Sequence, residues 1–299
     1  MTDTNSGKVA IVIVTYNRLN DLKICLNAVR KQSYKNFDII IVNNGSNDGT
    51  KEYLDKQNEI IAIHQNNVGG AGGFYTGMKY MYEHGYDWLL LMDDDGIPSE
   101  NELSELLANY DTAKQTNYGN DCIVNALVID KANHNNLAFG WGIRSTRSIK
   151  VKDYKKEKIF DGIHPFNGTL ICRNIIEKIG FIKKEMFIWG DEEEYMARAK
   201  EKGYALRTIT SSIHYHPKEK GLKGYIFPFS KKYYILIKPE KMSHYFYRNK
   251  GFIYSHYKEK RHLFWPFLLC NTFYDITHFR FKEVFKLWIY FNRGRKDIF

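Results

Sequence analysis

The chain has 299 residues, of which 43% are hydrophobic and 26% are charged. This composition is typical of a globular protein with one large or two interlocked domains, and it argues against extended disorder, collagen and a membrane-spanning bundle. No run approaches the roughly 18 consecutive apolar residues of a spanning helix, and the polar start, residues 1–8, lacks the apolar segment of a signal peptide. We therefore expect a cytoplasmic protein.

The basic residues are concentrated at the C-terminal end. The net charge is +10, yet residues 218–299 contain 18 Lys and Arg against 6 Asp and Glu, together with 23 aromatic residues. This shift in composition predicts a boundary near residue 217, between a domain over 1–217 and a basic, aromatic, helical region over 218–299. The four cysteines lie far apart in the sequence, which excludes a local CxxC motif and predicts reduced, structural thiols without zinc.

The first half of the chain alternates between strand and helix patterns. Residues 9–14 form a continuous apolar run rich in β-branched residues, which predicts a strand buried on both faces. Asn20 is expected to cap the helix that follows. Further strands are predicted at residues 37–42, 60–64 and 88–92. A helix is predicted at residues 74–84. This order predicts an α/β fold with a mostly parallel sheet flanked by helices.

Polar residues follow three of these strands. The strand ends carry Thr15-Tyr-Asn, Asn43-Asn-Gly-Ser and Asp93-Asp-Asp95. Ligands of open α/β sheets bind outside the carboxyl ends of the strands, so these residues mark the expected site. No GxGxxG follows the first strand and no GxxxxGK[ST] occurs, which excludes the dinucleotide fingerprint and the P-loop.

The triple Asp predicts a cation site. Side chains alternate along a strand, so Asp93 and Asp95 point to one side and Asp94 to the other. Two carboxylates 4 Å apart repel by about 4 kcal/mol at an effective dielectric constant of 20, and a divalent cation relieves this repulsion. Oxygen ligands suit Mg²⁺ or Mn²⁺. The alternative is a solvated acidic turn before a capping box at residues 99–102.

A second acidic group, residues 191–194, opens a helix that is predicted to end at Gly203. The helix dipole accounts for about two of these four acids. The apolar residues Phe187 to Trp189 come just before these acids and place the first of them in a low-dielectric pocket. Such a pocket raises the pKa of a carboxylate, which suits it to act as a general base. His214 and His216 follow a predicted strand over residues 204–209 and share one face, which makes one imidazole of the pair a candidate metal ligand.

A glycine-rich loop over residues 66–74 precedes the predicted helix. Four glycines in five positions let backbone N–H groups approach a phosphate or a sugar closely, and a helix N-terminus favours an anion. A flexible turn is the alternative interpretation.

Five segments in this order resemble the GT-A, family 2 inverting glycosyltransferases, over roughly residues 8–217. The segments are VIVTYNR at 12–18, VNNGSNDGT at 42–50, NVGGAGGF at 67–74, WLLLMDDD at 88–95 and WGDEEEY at 189–195. The glycine loop with the triple Asp is most similar to the bacterial galactofuranosyltransferase branch, because rhamnosyltransferases of the family more often carry a different loop.

The resemblance implies a role for each matching residue. The implied donor-binding residues are Thr15, Tyr16, Asn17, Arg18, Asn43, Asn44, Asn67, Gly70, Asp93 and Asp94. The implied ligands of Mn²⁺ or Mg²⁺ are Asp93, Asp95 and His216, and the implied acceptor-binding residues are Trp189, Asn167 and Gly168. Glu192 is the implied base and Asp191 its alternative. The chain departs from the family pattern at Asn43 and Glu192, where Asp is common.

The implied reaction is inverting transfer of galactofuranose from UDP-galactofuranose to a saccharide hydroxyl of a bacterial surface polysaccharide, such as a capsule or O-antigen. The acceptor is expected to be lipid-linked, with the basic tail docked on the anionic inner face of the plasma membrane and a homo-oligomer as one option. A rhamnosyltransferase using dTDP-rhamnose is the alternative. More remote are a haloacid dehalogenase-like phosphatase with Asp93 as nucleophile, and a nucleic-acid binder, which the acidic rim argues against.

Overall fold

The structure is a computed structural model that describes residues 7–139, 150–218, 221–227 and 230–299. The polar start of the chain lies outside the described residues up to position 6, and residues 219–220 beside the predicted boundary also lie outside them. The division at residue 217 stays a prediction. Both parts contribute to one hydrophobic core, which includes Met186 and Phe291.

Eleven strands occur in the described ranges: β1 Val9–Thr15, β2 Phe37–Asn43, β3 Ile60–His64, β4 Trp88–Asp93, β5 Ile97–Pro98, β6 Cys122–Asp130, β7 Ile159–Asp161, β8 Thr169–Cys172, β9 Ala205–His216, β10 Leu222–Phe227 and β11 Ser230–Ile237. The first nine form one sheet in the order β3-β2-β1-β4-β8-β6-β9-β5, with β7 also paired to β9. β10 and β11 form a separate antiparallel hairpin.

The described ranges also contain ten α-helices: α1 Leu19–Arg30, α2 Thr50–Leu54, α3 Gly69–Glu83, α4 Glu102–Gln115, α5 Val151–Tyr154, α6 Arg173–Ile179, α7 Asp191–Glu201, α8 Ser243–His256, α9 Phe264–Thr277 and α10 Phe281–Arg295. None of the described helices is both long and apolar enough to cross a membrane.

The predicted sheet is confirmed. β1 lies between β2 and β4 and runs parallel to both, and β3 runs parallel to β2. β6 and β9 also pair in parallel, whereas β8 runs antiparallel between β4 and β6. All seven residues of β1 are buried, as its uninterrupted apolar sequence requires. Cys25, Cys122 and Cys172 are buried in the hydrophobic core as free thiols.

The two predicted helix caps are wrong. Asn20 lies inside α1, which begins at Leu19, and the Leu19 N–H donates to Asp48 at 2.9 Å. An acid from the loop after β2 therefore satisfies this end of the helix. The capping box at residues 99–102 is also absent: α4 begins at Glu102, whose carboxylate is buried against His214.

The glycine-rich segment from Gly69 onward is helix rather than loop, so the predicted start of the helix at residue 74 is wrong. α3 begins at Gly69, five residues earlier than predicted, because the glycines bring the helix close to β1. A Cβ added at Gly73 would lie 2.4 Å from Val14, and one added at Gly77 would lie 2.3 Å from Val12. Gly70 differs, because a Cβ there would meet nothing within 4 Å.

The C-terminal region is not entirely helical as predicted. The β10–β11 hairpin precedes the three helices, since aromatic and β-branched residues such as Tyr234 and Ile235 favour strands. α8 then packs on α7: Lys250 forms an ion pair with Glu193, and the Tyr257 hydroxyl donates to Glu194.

The approach of α3 to β1 gives a prediction for stability. Gly77→Ala should lower the free energy of unfolding by about 1–3 kcal/mol, because the added methyl group overlaps Val12 in a packed core. Gly70→Ala in the same helix is the matched control and should leave stability unchanged or raise it. Urea denaturation of both variants measures the difference, and equal effects would contradict the packing explanation.

Candidate active site

The candidate site lies where the strand order of the sheet reverses. β1 connects to β2 on one side and pairs with β4 on the other, so the carboxyl ends of these strands meet at one edge. Thr15 stands opposite Asn43 in the register of β1 and β2, and Val14 stands opposite Asp93 in that of β1 and β4. The register therefore brings the three predicted polar strand ends together.

Asp93, Asp95 and His216 form an acidic cluster next to this edge. One potential ligand atom from each lies within 4.8 Å of the others. His216 reaches the cluster because β9 continues past its predicted end at residue 209 to His216. Its Nε2 lies 3.1 Å from Asp95, and Arg18 contacts the other Asp95 oxygen at 2.5 Å. The structure thus groups the three predicted metal ligands.

The pKa values of the three side chains in this cluster are strongly shifted. Burial, and after it the charge of Asp95, raise the pKa of Asp93 to about 7. Burial opposes ionisation of Asp95 as well, but hydrogen bonding to His216 and the charges of His216 and Arg18 outweigh it and hold the pKa of Asp95 well below its usual range. For His216, burial is outweighed by Asp95 and Asp93, so its pKa is raised.

Asp94 contributes no atom to the cluster of potential ligands, and it lies with Asp95 in the turn that follows β4. It is buried, and its Oδ1 lies 3.5 Å from Arg18. Burial raises the pKa of Asp94 to about 6. Arg18 therefore contacts both neighbouring acids, Asp94 and Asp95, from the loop after β1.

The cluster fits a divalent cation. Two half-buried carboxylates and an imidazole converge, and the raised pKa of Asp93 indicates an acid whose charge the nearby cations do not fully offset. Hard divalent ions such as Mg²⁺ and Mn²⁺ favour carboxylate ligands and leave positions for substrate oxygens.

The four acids at the start of α7 divide into two pairs. Glu193 contacts Lys250 and Lys260, and Glu194 accepts hydrogen bonds from Arg198 and Tyr257. These two acids therefore bind one side chain of α7 itself, that of Arg198, and three side chains of the C-terminal region.

Asp191 and Glu192 form the second pair, which interacts with the acidic cluster. The charge of Glu192 contributes to the raised pKa of Asp93, and the charge of Asp93 contributes to that of Asp191. Burial, then the charge of Glu192 and a hydrogen bond between the two carboxyl groups, raise the pKa of Asp191 well above its usual range. Glu192 also accepts from the Gly190 N–H at 3.3 Å.

The turn before α7 is strained and is held by α8. Phe187 and Trp189 both have positive φ angles, near 65° and 59°. The side-chain nitrogen of Asn249 lies 2.8–3.1 Å from the carbonyl oxygens of Met186, Ile188 and Trp189. Sequence reasoning missed Asn249, which is distant in the chain and belongs to no local motif.

The same turn contacts the start of α3. Gly69 has a φ of 77°, and a Cβ there would lie 2.0 Å from the Phe187 carbonyl oxygen. The Ala71 N–H donates to that oxygen at 3.1 Å. The predicted donor side and the predicted base side are therefore in direct contact.

Asn44 holds the segment before α3. Its nitrogen donates to Asn67 at 3.2 Å and to the Gly69 carbonyl at 2.9 Å, while its oxygen accepts from Gln65 and from the Val68 N–H. Both hydrogens and both lone pairs of the side-chain amide are therefore used within the protein. This makes Asn44 a support for the loop rather than a free contact for a ligand.

The other predicted donor-binding residues differ in exposure. Asn43 is buried and bonds to His64 and to the Ser46 N–H, and Thr15 is buried beside it in the sheet. Tyr16, with 47% of its surface exposed, projects into solvent at the strand ends.

Asn17 accepts a hydrogen bond from the Asn47 N–H and so joins the loops after β1 and β2. Asn67 is exposed at the start of α3, and Gly70 faces open space.

The predicted acceptor residues are not equally placed. The Lys238 ammonium lies 4.6 Å from the centre of the Trp189 ring. Asn167 is buried next to β8, and Gly168 packs against Glu102 and His214, since a Cβ there would lie 2.5 Å from a Glu102 oxygen. His214 is fully buried and bonded to Glu102, apart from the Asp93–Asp95–His216 cluster.

The fold and the acidic cluster define a GT-A-like nucleotide-sugar transferase fold. The chain superposes on GalNAc-T7 solved with UDP, GalNAc and Mn²⁺ with a TM-score of 0.58 and 14% identity, covering 88% of this chain and 51% of that one. For S. aureus TarS the TM-score is 0.54 with 13% identity, covering 90% and 43%. The chain thus spans about half the length of these two proteins.

Residues 10–180 match the family described as glycosyl transferase family 2. The chain belongs to this family and is a glycosyltransferase. It is 29% identical over 225 residues to the galactofuranosyltransferase GlfT1 of Mycolicibacterium smegmatis, which covers 72% of each chain. The family supports glycosyl transfer over the phosphatase and nucleic-acid alternatives.

The buried Asp191 gives a prediction for the pH dependence of stability. A carboxyl with a raised folded-state pKa stabilises the fold below its unfolded pKa, about 4, and this contribution is lost as the pH rises through the folded-state value. Asp191→Asn should therefore match the wild type in acid and exceed its free energy of unfolding at neutral and alkaline pH.

Chemical denaturation across this pH range measures the effect. Glu193→Gln is the control and should lower stability at neutral pH, because it removes an ion pair with Lys250. A destabilised Asp191→Asn variant at alkaline pH would show that ionised Asp191 is tolerated in the fold.

Proposed function

We propose that the protein is an inverting, divalent-metal-dependent galactofuranosyltransferase that uses UDP-galactofuranose and a saccharide acceptor. The observation that carries the proposal is the grouping of Asp93, Asp95 and His216 together with their electrostatic interaction with the Asp191–Glu192 pair. A leaving-group site and a proton acceptor are the two components that direct displacement at a sugar carbon requires. The similarity to a galactofuranosyltransferase supports the choice of donor.

Asp93, Asp95 and His216 would hold Mn²⁺ or Mg²⁺. When bound, the ion would supply positive charge next to the diphosphate of the donor. Arg18 would add a fixed cation on the same side, because it already contacts Asp95 from the loop after β1. Tyr16 and Asn67 would contact the donor through their exposed side chains, and Thr15, Asn17, Asn43 and Gly70 would shape the pocket around it.

Glu192 would take the proton from the acceptor hydroxyl. Its carboxylate accepts a hydrogen bond from the Gly190 N–H, and Asp191, whose pKa is raised, would donate a second one, so that both would fix its orientation. As oxygen attacks the anomeric carbon from the face opposite the diphosphate, the proton moves to Glu192 and the bond to the diphosphate breaks, so the configuration inverts. Asp191 orients the base, and Trp189 in the preceding turn would contact the acceptor sugar.

The acceptor would be a lipid-linked saccharide of a bacterial surface polysaccharide, reached from the cytoplasmic face of the plasma membrane. The basic, aromatic C-terminal region supports this location, because cations and aromatic residues favour anionic lipid surfaces. Asn167 and Gly168 are buried, so they would act by shaping the floor of the acceptor site.

Asp95→Ala should abolish Mn²⁺-dependent binding of UDP while the fold is retained. The variant loses a ligand that also fixes His216 and Arg18. Isothermal titration with UDP, with and without EDTA, measures the loss, and the paramagnetic signal of free Mn²⁺ reports metal binding without turnover. Asp94→Asn should keep Mn²⁺ binding, since Asp94 contributes no atom to the Asp93–Asp95–His216 cluster. Full activity in EDTA would exclude the metal role.

Glu192→Gln should reduce turnover by about 10² to 10⁴, the usual contribution of a general base, with nearly unchanged donor affinity. The glutamine keeps the size of the side chain and removes its basicity. Single-turnover rates and UDP affinity separate the two effects. If Asp191→Asn loses more activity than Glu192→Gln, the base is Asp191.

UDP-galactofuranose should be consumed in the presence of an oligosaccharide acceptor, and dTDP-rhamnose should not. A competition assay that supplies both donors and analyses the product by mass spectrometry tests this choice. Preferential transfer of rhamnose would establish the rhamnosyltransferase alternative, and the metal and base assignments would remain testable.

A further inference from the structure

The last two helices expose large apolar side chains on their outer side. On α9 these are Trp265, Leu269, Phe273 and Ile276, which lie within one arc of the helix. The opposite side of α9 is buried, with Phe267 and Leu268 in the core. A helix with one buried and one exposed apolar face has an outer face that none of the described residues covers.

α10 has the same pattern. Phe281, Phe285, Trp288 and Ile289 are exposed at helical spacing, while Leu287 and Phe291 are buried. We call these eight exposed residues, with Phe279 in the turn between the helices, the hairpin face. Phe279 is 82% exposed and Phe285 is 72% exposed. Soluble monomers seldom expose so many contiguous large apolar groups, and such patches mark interaction sites.

The two exposed stripes adjoin. The Trp288 indole N–H donates to the Thr272 hydroxyl at 3.0 Å across the two helices. On the inner side, Phe291 packs against Phe264 and Phe267, with ring centres 4.9 and 5.7 Å apart. The helices therefore form an antiparallel hairpin with a single outer surface.

The acidic residues of the hairpin are buried, whereas several of its basic residues are exposed. Its acids Asp275 and Glu283 are almost fully buried, and they pair with Arg280 at 3.1 Å and Lys286 at 2.5 Å. Exposed basic residues of the hairpin and its flanking segments are Lys258, Arg261, Lys282, Arg295 and Lys296, against the exposed acids Glu259 and Asp297. The outer surface thus combines apolar groups with an excess of positive charge.

We propose that the hairpin face inserts into the headgroup region of an anionic lipid bilayer. Apolar side chains bordered by cations match an acidic headgroup layer over a hydrocarbon interior, and tryptophans such as Trp265 and Trp288 favour that boundary. The charge distinguishes this partner from a second copy of the chain, because two copies of a cationic face repel each other. The proposal deepens the proposed function and rests on it only for the lipid-linked acceptor.

The hairpin is connected to the catalytic turn through α8. Both Asn249, which holds the carbonyls before α7, and Lys250, which pairs with Glu193, lie on this helix. α10 packs closely along α8: a Cβ at Gly251 would lie 2.0 Å from the Phe291 carbonyl oxygen. Membrane docking would therefore hold the proposed acceptor side of the site in a fixed relation to the lipid surface.

Cosedimentation with vesicles tests the proposal. The full chain should bind vesicles of phosphatidylcholine with phosphatidylglycerol, should not bind phosphatidylcholine alone, and should be released as salt rises, since exposed charges are screened beyond about 8 Å at physiological ionic strength. Phe279→Ser with Phe285→Ser should weaken binding at least about tenfold. Lys282→Glu with Lys296→Glu should weaken it by at least about fivefold per cation.

The matched control replaces exposed apolar residues elsewhere. Ile24 on α1 is 55% exposed and Tyr118 is 98% exposed, so Ile24→Ser with Tyr118→Ser should leave vesicle binding unchanged. Thermal unfolding of each variant checks the fold. Transfer to a short soluble acceptor should persist in the hairpin variants, which separates failure of docking from failure of the proposed function.

Three results of the vesicle experiments would overturn the proposal. They are no vesicle binding by the wild type at low salt, equal binding to both vesicle types, and an equal loss of binding in the Ile24 and Tyr118 control. Concentration-dependent dimerisation that Phe279→Ser abolishes, without vesicle binding, would also overturn it and would identify the hairpin face as a contact between copies of the chain.

Discussion

The repulsion among buried carboxylates at the sheet edge is the constraint on which the rest of the site depends. Asp93, Asp95, Asp191 and Glu192 interact electrostatically, and burial makes ionisation of several of them costly. The protein offsets this cost with Arg18 and His216 on one side, and on the other side the pKa of Asp191 is raised, which favours its neutral form. The same negative charges that attract a cation destabilise the fold without one. Arg18 and His216 compensate for this.

The C-terminal region completes this balance from a distance. Lys250 and Tyr257 engage the two acids of α7 that do not face the cluster, and Asn249 binds three carbonyls of the strained turn. Backbone strain of this kind persists where surrounding contacts determine the conformation. The orientation of Glu192 therefore depends on the turn that precedes α7. It also depends on α8, a helix about 60 residues later in the chain.

Local patterns in the sequence predicted what depends on local geometry. The apolar runs located β1, β2 and β4, and the two-residue period placed Asp93 and Asp95 together. The start of α3 was missed because Gly73 and Gly77 serve contacts with β1, which a local pattern of glycines does not reveal. Glu102 was misassigned because its carboxylate binds His214, a partner that only the tertiary fold supplies.

The clamp by Asn249 bears on how such enzymes are divided and recombined. A fragment ending near residue 217 would retain every motif of the family yet lack the side chains that hold the turn at Met186–Trp189. Exchange of C-terminal regions between relatives would then alter the shape of the acceptor side even where no acceptor-contacting residue is exchanged. In chimeras intended to change the choice of acceptor, α8 and the turn that it binds should therefore come from the same parent protein.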